Sequence, residues 1–255
     1  MHRLFAETAA LLSPAPALPP ESAAHLKVIR PKEGEEIELF DGAGLTRRCV
    51  YSSGALRPSG DVVSRPRRFE GGVTLFACVT KGTRWDWTIE KATELGVTKI
   101  VPVISKRTIV RLDGAADRAA KLERWRKIAL EAVRQSDAAY LPQIPAVLDF
   151  GDALAEARRT TCFAGAIMDE PPPPLLAALE REAELDAGGE WSFFVGPEGD
   201  FTPEELAALL EFAVPTSLGP AILRAETAAI LGVGLMAAVR ERKISPASAP
   251  ASQPR

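Results

Sequence analysis

The sequence predicts an α/β protein with a mostly parallel sheet, preceded by a small β module. Three observations carry this. From about residue 71, short apolar runs alternate with longer amphipathic ones, the pattern of strands and helices in turn. Residues 1–70 instead hold short strand-like pieces broken by frequent turn residues. The run Phe193–Glu205 reads as strand, tight loop and helix start within thirteen residues, and open α/β sheets place their ligands at such loops.

In residues 1–70, Glu36–Phe40 and Cys49–Tyr51 have strand character. Pro31, Gly34, Asp41-Gly42, Gly44, Gly54 and Pro58 interrupt it, and Asp41-Gly42 is a strong hairpin signal. A small β-barrel or sandwich is expected. The arginine-rich stretch Pro58–Glu70 reads as the connection to the next domain.

Beyond it, Val73–Val79 and Ile100–Ile104 read as strands, and Trp85–Leu95 as a helix stopped at Gly96. Ala116–Ser136 is an amphipathic helix with Leu122, Trp125, Ile128, Ala129, Ala132 and Val133 along one stripe. Cys162–Met168, Ser192–Val195 and Thr216–Leu218 are further strands, and Pro171–Pro174 is an extended loop. Gly-Pro-Glu-Gly at 196–199 continues neither strand nor helix. Thr202, Pro203 and Glu205 form a capping box with proline at the first helical position. Helices are expected over Glu205–Phe212 and Glu226–Arg240, and residues 244–255 as a disordered tail.

The formal net charge of −3 does not announce a nucleic-acid partner, but the distribution permits one. Residues 47–68 hold six arginines against one acid, whereas 169–211 hold twelve acids against one arginine. A basic face can therefore coexist with an acidic total. Cys49, Cys78 and Cys162 lie far apart, and no Cys/His spacing indicates a metal. They read as small hydrophobes in a reducing compartment. No signal-peptide pattern opens the chain, and no apolar run approaches the length of a membrane span. A cytoplasmic protein is expected.

Four ordered segments carry a family resemblance: Lys81-Gly82 leading into Ile89–Val97, Trp125–Ser136 followed by Leu141-Pro142, the Gly196–Gly199 loop, and Leu218–Ala228. Arg3-Leu4-Phe5 and His25…Val28-Ile29-Arg30 also fit. Together they resemble the RsmE family of the SPOUT methyltransferases, the 16S ribosomal RNA uridine-N3 methyltransferases. The resemblance spans roughly residues 1–242.

It implies a PUA-like RNA-binding β-barrel over 1–70 and a SPOUT methyltransferase domain over 71–243 with a deep trefoil knot, which chain-topology rules would otherwise disfavour. It implies S-adenosylmethionine as cofactor, 16S ribosomal RNA within the small subunit as partner, and a homodimer. The cofactor would lie against Ile167, Met168, Gly196, Pro197, Glu198, Gly199, Leu218, Gly219, Ile222, Leu223 and Arg224. Glycines there allow close backbone approach; alone each would read as a plain turn residue, and the matched motif favours the cofactor role.

Uridine N3 must lose its proton before it attacks, so a base or a nearby cation is needed. Arg224 is the expected cation; Glu198 or Glu226 is the expected base, with Glu226 alternatively capping the last helix. RNA would meet Arg3, His25, Arg30, Arg65, Arg67, Arg68, Lys81, Arg84 and Lys91. Of Trp85 and Trp87, on different helix faces, one at most is core: Trp87 packs inward with Trp85 at a subunit interface, or one of them stacks a base.

The chain departs from the family pattern at three places. Asp137-Ala138 stands where Gly-Arg is usual, Asp200 where a second glycine follows Gly-Pro-Glu-Gly, and Ala225 inside the Arg-Thr-Glu-Thr run. The lost arginine puts the RNA target in doubt. A non-catalytic RNA-binding or ribosome-assembly factor retaining the fold is the alternative reading; the intact cofactor motifs favour the enzyme.

Overall fold

Strand-forming residues build two separate sheets in this chain. The structure is a computed structural model and describes residues 1–112, 114–168, 170–186 and 188–242; the expected tail, 244–255, lies outside the described residues. Contacts gather the chain into two units: Met1–Arg67 with Arg126–Pro142, and Arg68–Trp125 with the chain from Gln143 onward.

The first unit runs β1 (His2–Phe5), α1 (Thr8–Leu12), α2 (Pro20–Ile29), β2 (Glu36–Phe40), β3 (Leu45–Ser52) and β4 (Ala55–Ser64). Its sheet has the order β1-β2-β3-β4, with β1 parallel to β2 and the others antiparallel. Leu4, Leu11, Ile37, Leu39, Cys49 and Leu56 form its core. Asp41 makes the first hairpin by accepting at Oδ1 from the backbone N–H of Ala43 (2.8 Å) and Leu45 (2.9 Å). Ser53 and Gly54 make the second, both at positive φ as a two-residue hairpin turn requires.

The expected connection Pro58–Glu70 is corrected in part, because Pro58–Ser64 belongs to β4. Proline is tolerated because β4 is an edge strand and Pro58 pairs with Cys49, where the register against β3 shifts. The helices α1 and α2 had no sequence signal strong enough to predict them.

The second unit contains β5 (Val73–Cys78), α3 (Thr83–Glu94), β6 (Lys99–Ile104), α4 (Gly114–Gln135), β7 (Leu148–Asp149), α5 (Phe150–Ala157), β8 (Thr161–Gly165), α6 (Leu175–Leu185), β9 (Trp191–Val195), α7 (Pro203–Leu210), β10 (Val214–Thr216) and α8 (Ala225–Arg242). The part of α4 from Arg126 onward counts with the first unit. The sheet order is β10-β8-β9-β5-β6-β7, parallel throughout. Every residue of β5 and β9 is buried, as befits central strands covered on both faces. Phe194 packs with Phe76, stacked at 5.3 Å, in the cluster that includes Ala153, Leu154 and Leu209 of α5 and α7. Its neighbour Phe193 points the other way, onto Gly232 of α8, where any side chain would collide with the ring.

Strand β8 ends at Gly165, three residues before the expected Met168. The capping box forms as expected: Thr202 Oγ1 accepts from the Glu205 N–H at 3.3 Å, and Glu205 Oε2 accepts from the Thr202 N–H at 3.0 Å.

The tryptophans reverse the expectation that Trp87 packs inward. Trp85 is 2% exposed and meets Trp125 edge-to-face at 5.5 Å, whereas Trp87 is 45% exposed. The inward stripe of α3 is Trp85, Thr88, Ile89, Ala92 and Thr93, set by helical spacing from a start at Thr83. All three cysteines are buried and free. No described helix is long and apolar enough to cross a membrane.

Candidate functional site: a pocket at the carboxyl ends of the strands

The loops following β8, β9 and β10, with the first turns of α3 and α8, enclose a cavity of about 590 Å³. This is the end of a parallel sheet where ligands bind, because every crossover leaves its strand there. Gly196 is buried immediately after β9, and a Cβ on it would come within 3.1 Å of Asp200 Oδ1 and 3.2 Å of the Phe201 ring. Gly219 has a φ of 137°, which side-chain-bearing residues rarely adopt. Both positions leave backbone at the pocket wall. Ile167, Met168 and Ile222 are apolar side chains left 56%, 38% and 78% exposed along the same lining.

Asp200 holds a φ of 57°. Aspartate tolerates this left-handed region better than most residues, and its Oδ1 accepts from the Phe201 N–H at 2.8 Å. Asp137 shares this conformation, also at φ 57°. Both positions thus hold backbone that glycine would adopt without strain.

Arg107, from the loop after β6, donates Nη1 to the carbonyl oxygens of Gly199 (2.9 Å) and Phe201 (3.1 Å). Beside it the Lys106 N–H donates to Glu205 Oε1 at 2.8 Å. The loop after β9 is therefore fixed from two sides. No sequence pattern assigned Arg107 to the site; the only available hint was its position just past the carboxyl end of a strand.

Charged side chains concentrate at one edge of the pocket. Arg84 donates Nη1 to Glu198 Oε1 at 3.3 Å and lies with Nε 3.8 Å from Glu226 Oε1. The backbone N–H of Lys81 also approaches Glu198 Oε1, at 3.5 Å. The Glu226 side chain is 6% exposed, and its Oε2 is buried with no hydrogen-bond partner among the described residues. It sits in the first turn of α8, where the helix dipole favours a carboxylate. Arg224 lines the same pocket, is exposed, and makes no ion pair among the described residues.

The structure thus brings to one pocket Ile167, Met168, Gly196, Pro197, Glu198, Leu218, Gly219, Ile222, Leu223, Arg224 and Glu226. Gly199 falls outside the lining, with its carbonyl held by Arg107. Arg84, expected to meet RNA, lies in the pocket wall.

The other residues expected to face RNA have varied surroundings. Arg3 is buried; its guanidinium donates to Glu38 Oε1 (2.8 Å) and to the carbonyls of Val133 and Ala138 (both 2.9 Å), a packing role within the first unit. Arg65 bonds both carboxylate oxygens of Asp137, and Arg67 lies 4.4 Å over the Tyr140 ring. Arg30 is exposed at the end of α2, and His25 is half-buried on that helix. Burial and the nearby Arg134 push the His25 pKa down. In the second unit Arg68 pairs with Glu241, and Lys91 with Glu90 and Glu94, while Lys81 is exposed. The hydrogen bonds that Lys91 donates to Glu90 and Glu94 raise its pKa. Among the described residues no group of three or more His, Cys, Asp or Glu could hold a metal ion.

This arrangement of sheet and pocket has close counterparts. A family model described as an RNA methyltransferase domain matches residues 68–237. The ribosomal RNA small subunit methyltransferase E of Mycobacterium bovis is 34% identical over 234 residues, covering 86% of this chain and 84% of the relative. That of Bacillus subtilis is 31% identical over 245 residues, covering 89% and 93%. A crystal structure of the Neisseria gonorrhoeae ribosomal RNA small subunit methyltransferase E, bound to S-adenosyl methionine, superposes with a TM-score of 0.78 at 28% identity, covering 94% of this chain and 98% of that one. The pocket described above lies wholly within the matched segment, and by these matches the chain is an RNA methyltransferase belonging to the ribosomal RNA small subunit methyltransferase E family.

Proposed function

We propose that this protein transfers a methyl group from S-adenosylmethionine to N3 of a specific uridine in 16S ribosomal RNA, acting on the small subunit. The observation that carries the reading is the convergence of the 196–200 and 218–226 loops on one cavity, with exposed apolar walls and charged groups at one edge. The residues present fit the cofactor. Backbone at Gly196 and Gly219 admits close approach of a flat ring, Ile167, Met168 and Ile222 offer apolar contact, and two carboxylates suit a cationic ligand.

When bound, S-adenosylmethionine supplies an electrophilic methyl on a sulfonium. The protein's own part is to align the uracil nitrogen with that methyl and to make N3 nucleophilic. Arg224 stabilises the negative charge that builds on the uracil oxygens as the N3 proton leaves. Glu198 and Glu226 are the carboxylates in the pocket able to take that proton, and Glu198 is the more accessible, with its side chain 24% exposed against 6%.

Residues 1–70 serve as a PUA-like barrel that grips RNA, and residues 71–243 as a SPOUT domain in which the segment carrying the 196–224 loops is knotted. The packing of α8 back onto β5, β9 and α3 supports the second assignment. Exposed Arg30 and Arg67 of the first unit and Lys81 of the second are the RNA-backbone contacts. The working form is a homodimer, and exposed Trp87 on α3 and Leu231 on α8 supply apolar surface for the second copy. The protein works in the cytoplasm.

The test is methylation of small ribosomal subunits lacking this modification, mapped by reverse transcription, since a methyl at N3 removes a base-pairing donor and halts the polymerase. A single new stop at a uridine supports the reading. No labelling together with no cofactor binding would instead favour a non-catalytic assembly factor. Arg224→Ala is expected to bind cofactor normally and to lose most of the methylation rate; retained activity would remove Arg224 from its electrostatic role.

A further inference from the structure

The pocket holds two arginines in opposite surroundings. Arg224 makes no ion pair among the described residues, whereas Arg84 is held between two carboxylates that arrive on different segments, Glu198 after β9 and Glu226 at the start of α8. The hydrogen bond at Nη1 and the ion pair at Nε orient the guanidinium, and its Nη2 amino group has no protein acceptor among the described residues. The side chain is still 45% exposed and lines the cavity. An arginine anchored in this way is a preorganised donor toward a ligand.

The charge of the cluster indicates which ligand. One guanidinium and two carboxylates carry a formal single negative charge. An RNA phosphate would be repelled by that excess. A zwitterion is matched by it: its carboxylate meets the guanidinium and its ammonium lies beside the flanking carboxylates. We propose that Arg84, Glu198 and Glu226 form the subsite for the amino-acid end of the cofactor, with Nη2 of Arg84 donating to the α-carboxylate. This rests on the reading above that the pocket binds S-adenosylmethionine. S-adenosylmethionine carries one net positive charge and S-adenosylhomocysteine none, so the same cluster favours the methyl donor over the spent product and promotes turnover.

Titration calorimetry with S-adenosylhomocysteine and with 5′-methylthioadenosine, which lacks the amino-acid end, tests the assignment without any methylation step. Arg84→Ala is expected to weaken S-adenosylhomocysteine about 10- to 100-fold, the range for a hydrogen bond to a charged group, and to leave methylthioadenosine within about twofold. Arg84→Lys, which keeps the charge but not the fork, is expected to recover part of the loss. An unchanged affinity for S-adenosylhomocysteine overturns the proposal. So does an equal loss for both ligands, which marks Arg84 as a structural clamp, and so does an effect confined to RNA affinity and its salt dependence, which marks a phosphate contact. If the wild-type protein binds neither adenosyl compound, the cofactor reading of the pocket falls, and the subsite with it. Thermal melts of both variants establish that the folded protein is being measured.

Discussion

Arg107 donates a hydrogen bond to the carbonyl oxygen of Gly199 at 2.9 Å, joining the loop after β6 to the loop after β9. Its second bond, to Phe201, spans the far side of Asp200. One exposed side chain thus fixes the backbone on both sides of the residue that closes the turn. Arg107→Ala is expected to lower cofactor affinity about tenfold, the cost of losing charge-assisted bonds that hold a binding loop. Calorimetric titration with S-adenosylhomocysteine checks this, and a change under twofold would show that the loop holds its shape without Arg107.

Asp200 and its left-handed backbone give a second prediction. Asp200→Gly keeps the φ of 57° without strain and is expected to leave cofactor affinity within about threefold. Asp200→Ala keeps a Cβ in the left-handed region but removes the carboxylate that accepts from the Phe201 N–H, and is expected to cost about 1–2 kcal/mol of stability. Urea unfolding of the two variants side by side distinguishes conformational strain from loss of the carboxylate, because only strain separates glycine from alanine.

Asp137 titrates as part of the first unit. A hydrogen bond from Arg65 is the main cause of its lowered pKa, with Arg3 adding to it. A carboxylate with a depressed folded pKa contributes stability above its unfolded value, near 3.8, and that contribution is lost as the pH falls through the folded value. Asp137→Asn keeps the tolerated backbone but not the charge. The stability gap between wild type and Asp137→Asn is therefore expected to be full at about pH 5 and to close as the pH falls below the unfolded value. A gap independent of pH across that range would rule out the ion pair as its source.

Burial raises the thiol pKa of Cys78 to about 12 and that of Cys162 to about 11. At pH 8 both are thiols inside the core and poor nucleophiles. Iodoacetamide is expected to leave them unmodified in the native protein and to label them in urea, read by intact mass. Native-state labelling within minutes would contradict the packing of β5 and β8.

What the sequence made legible was local. The capping box at Thr202 and Glu205 and the buried run Phe193–Val195 depend on neighbours within a few residues, so pattern alone located them. Strand β4 was obscured because Pro58 and Gly60 read as turn residues, and only the pairing with β3 at a sheet edge shows why they are tolerated. Arg126–Pro142 packs with the first unit although it follows the second unit's residues in sequence, and helical periodicity carries no information about which neighbour a stripe will meet. In the pocket, the glycine loops and the charged residues Glu198, Arg224 and Glu226 were readable, and the place of Arg84 among them was not. Arg84 meets Glu198 and Glu226 across more than a hundred positions, a relationship with no local signature. Trp85 and Trp87 show the same limit, since their separation placed them on different faces but could not say which face was inward.

Glu205 is 6% exposed, and each of its carboxylate oxygens takes a backbone N–H from a different crossover, Lys106 on one side and Thr202 on the other. Because both donors are main chain, changing the side chain at 106 or 202 leaves these two bonds in place, while a change at 205 removes both together. One side chain thus ties the two loops together. A loop after β9 grafted from a relative should function here only if it brings an acidic residue at this position, and an insertion in the loop after β6 will register as a defect in a pocket it does not line.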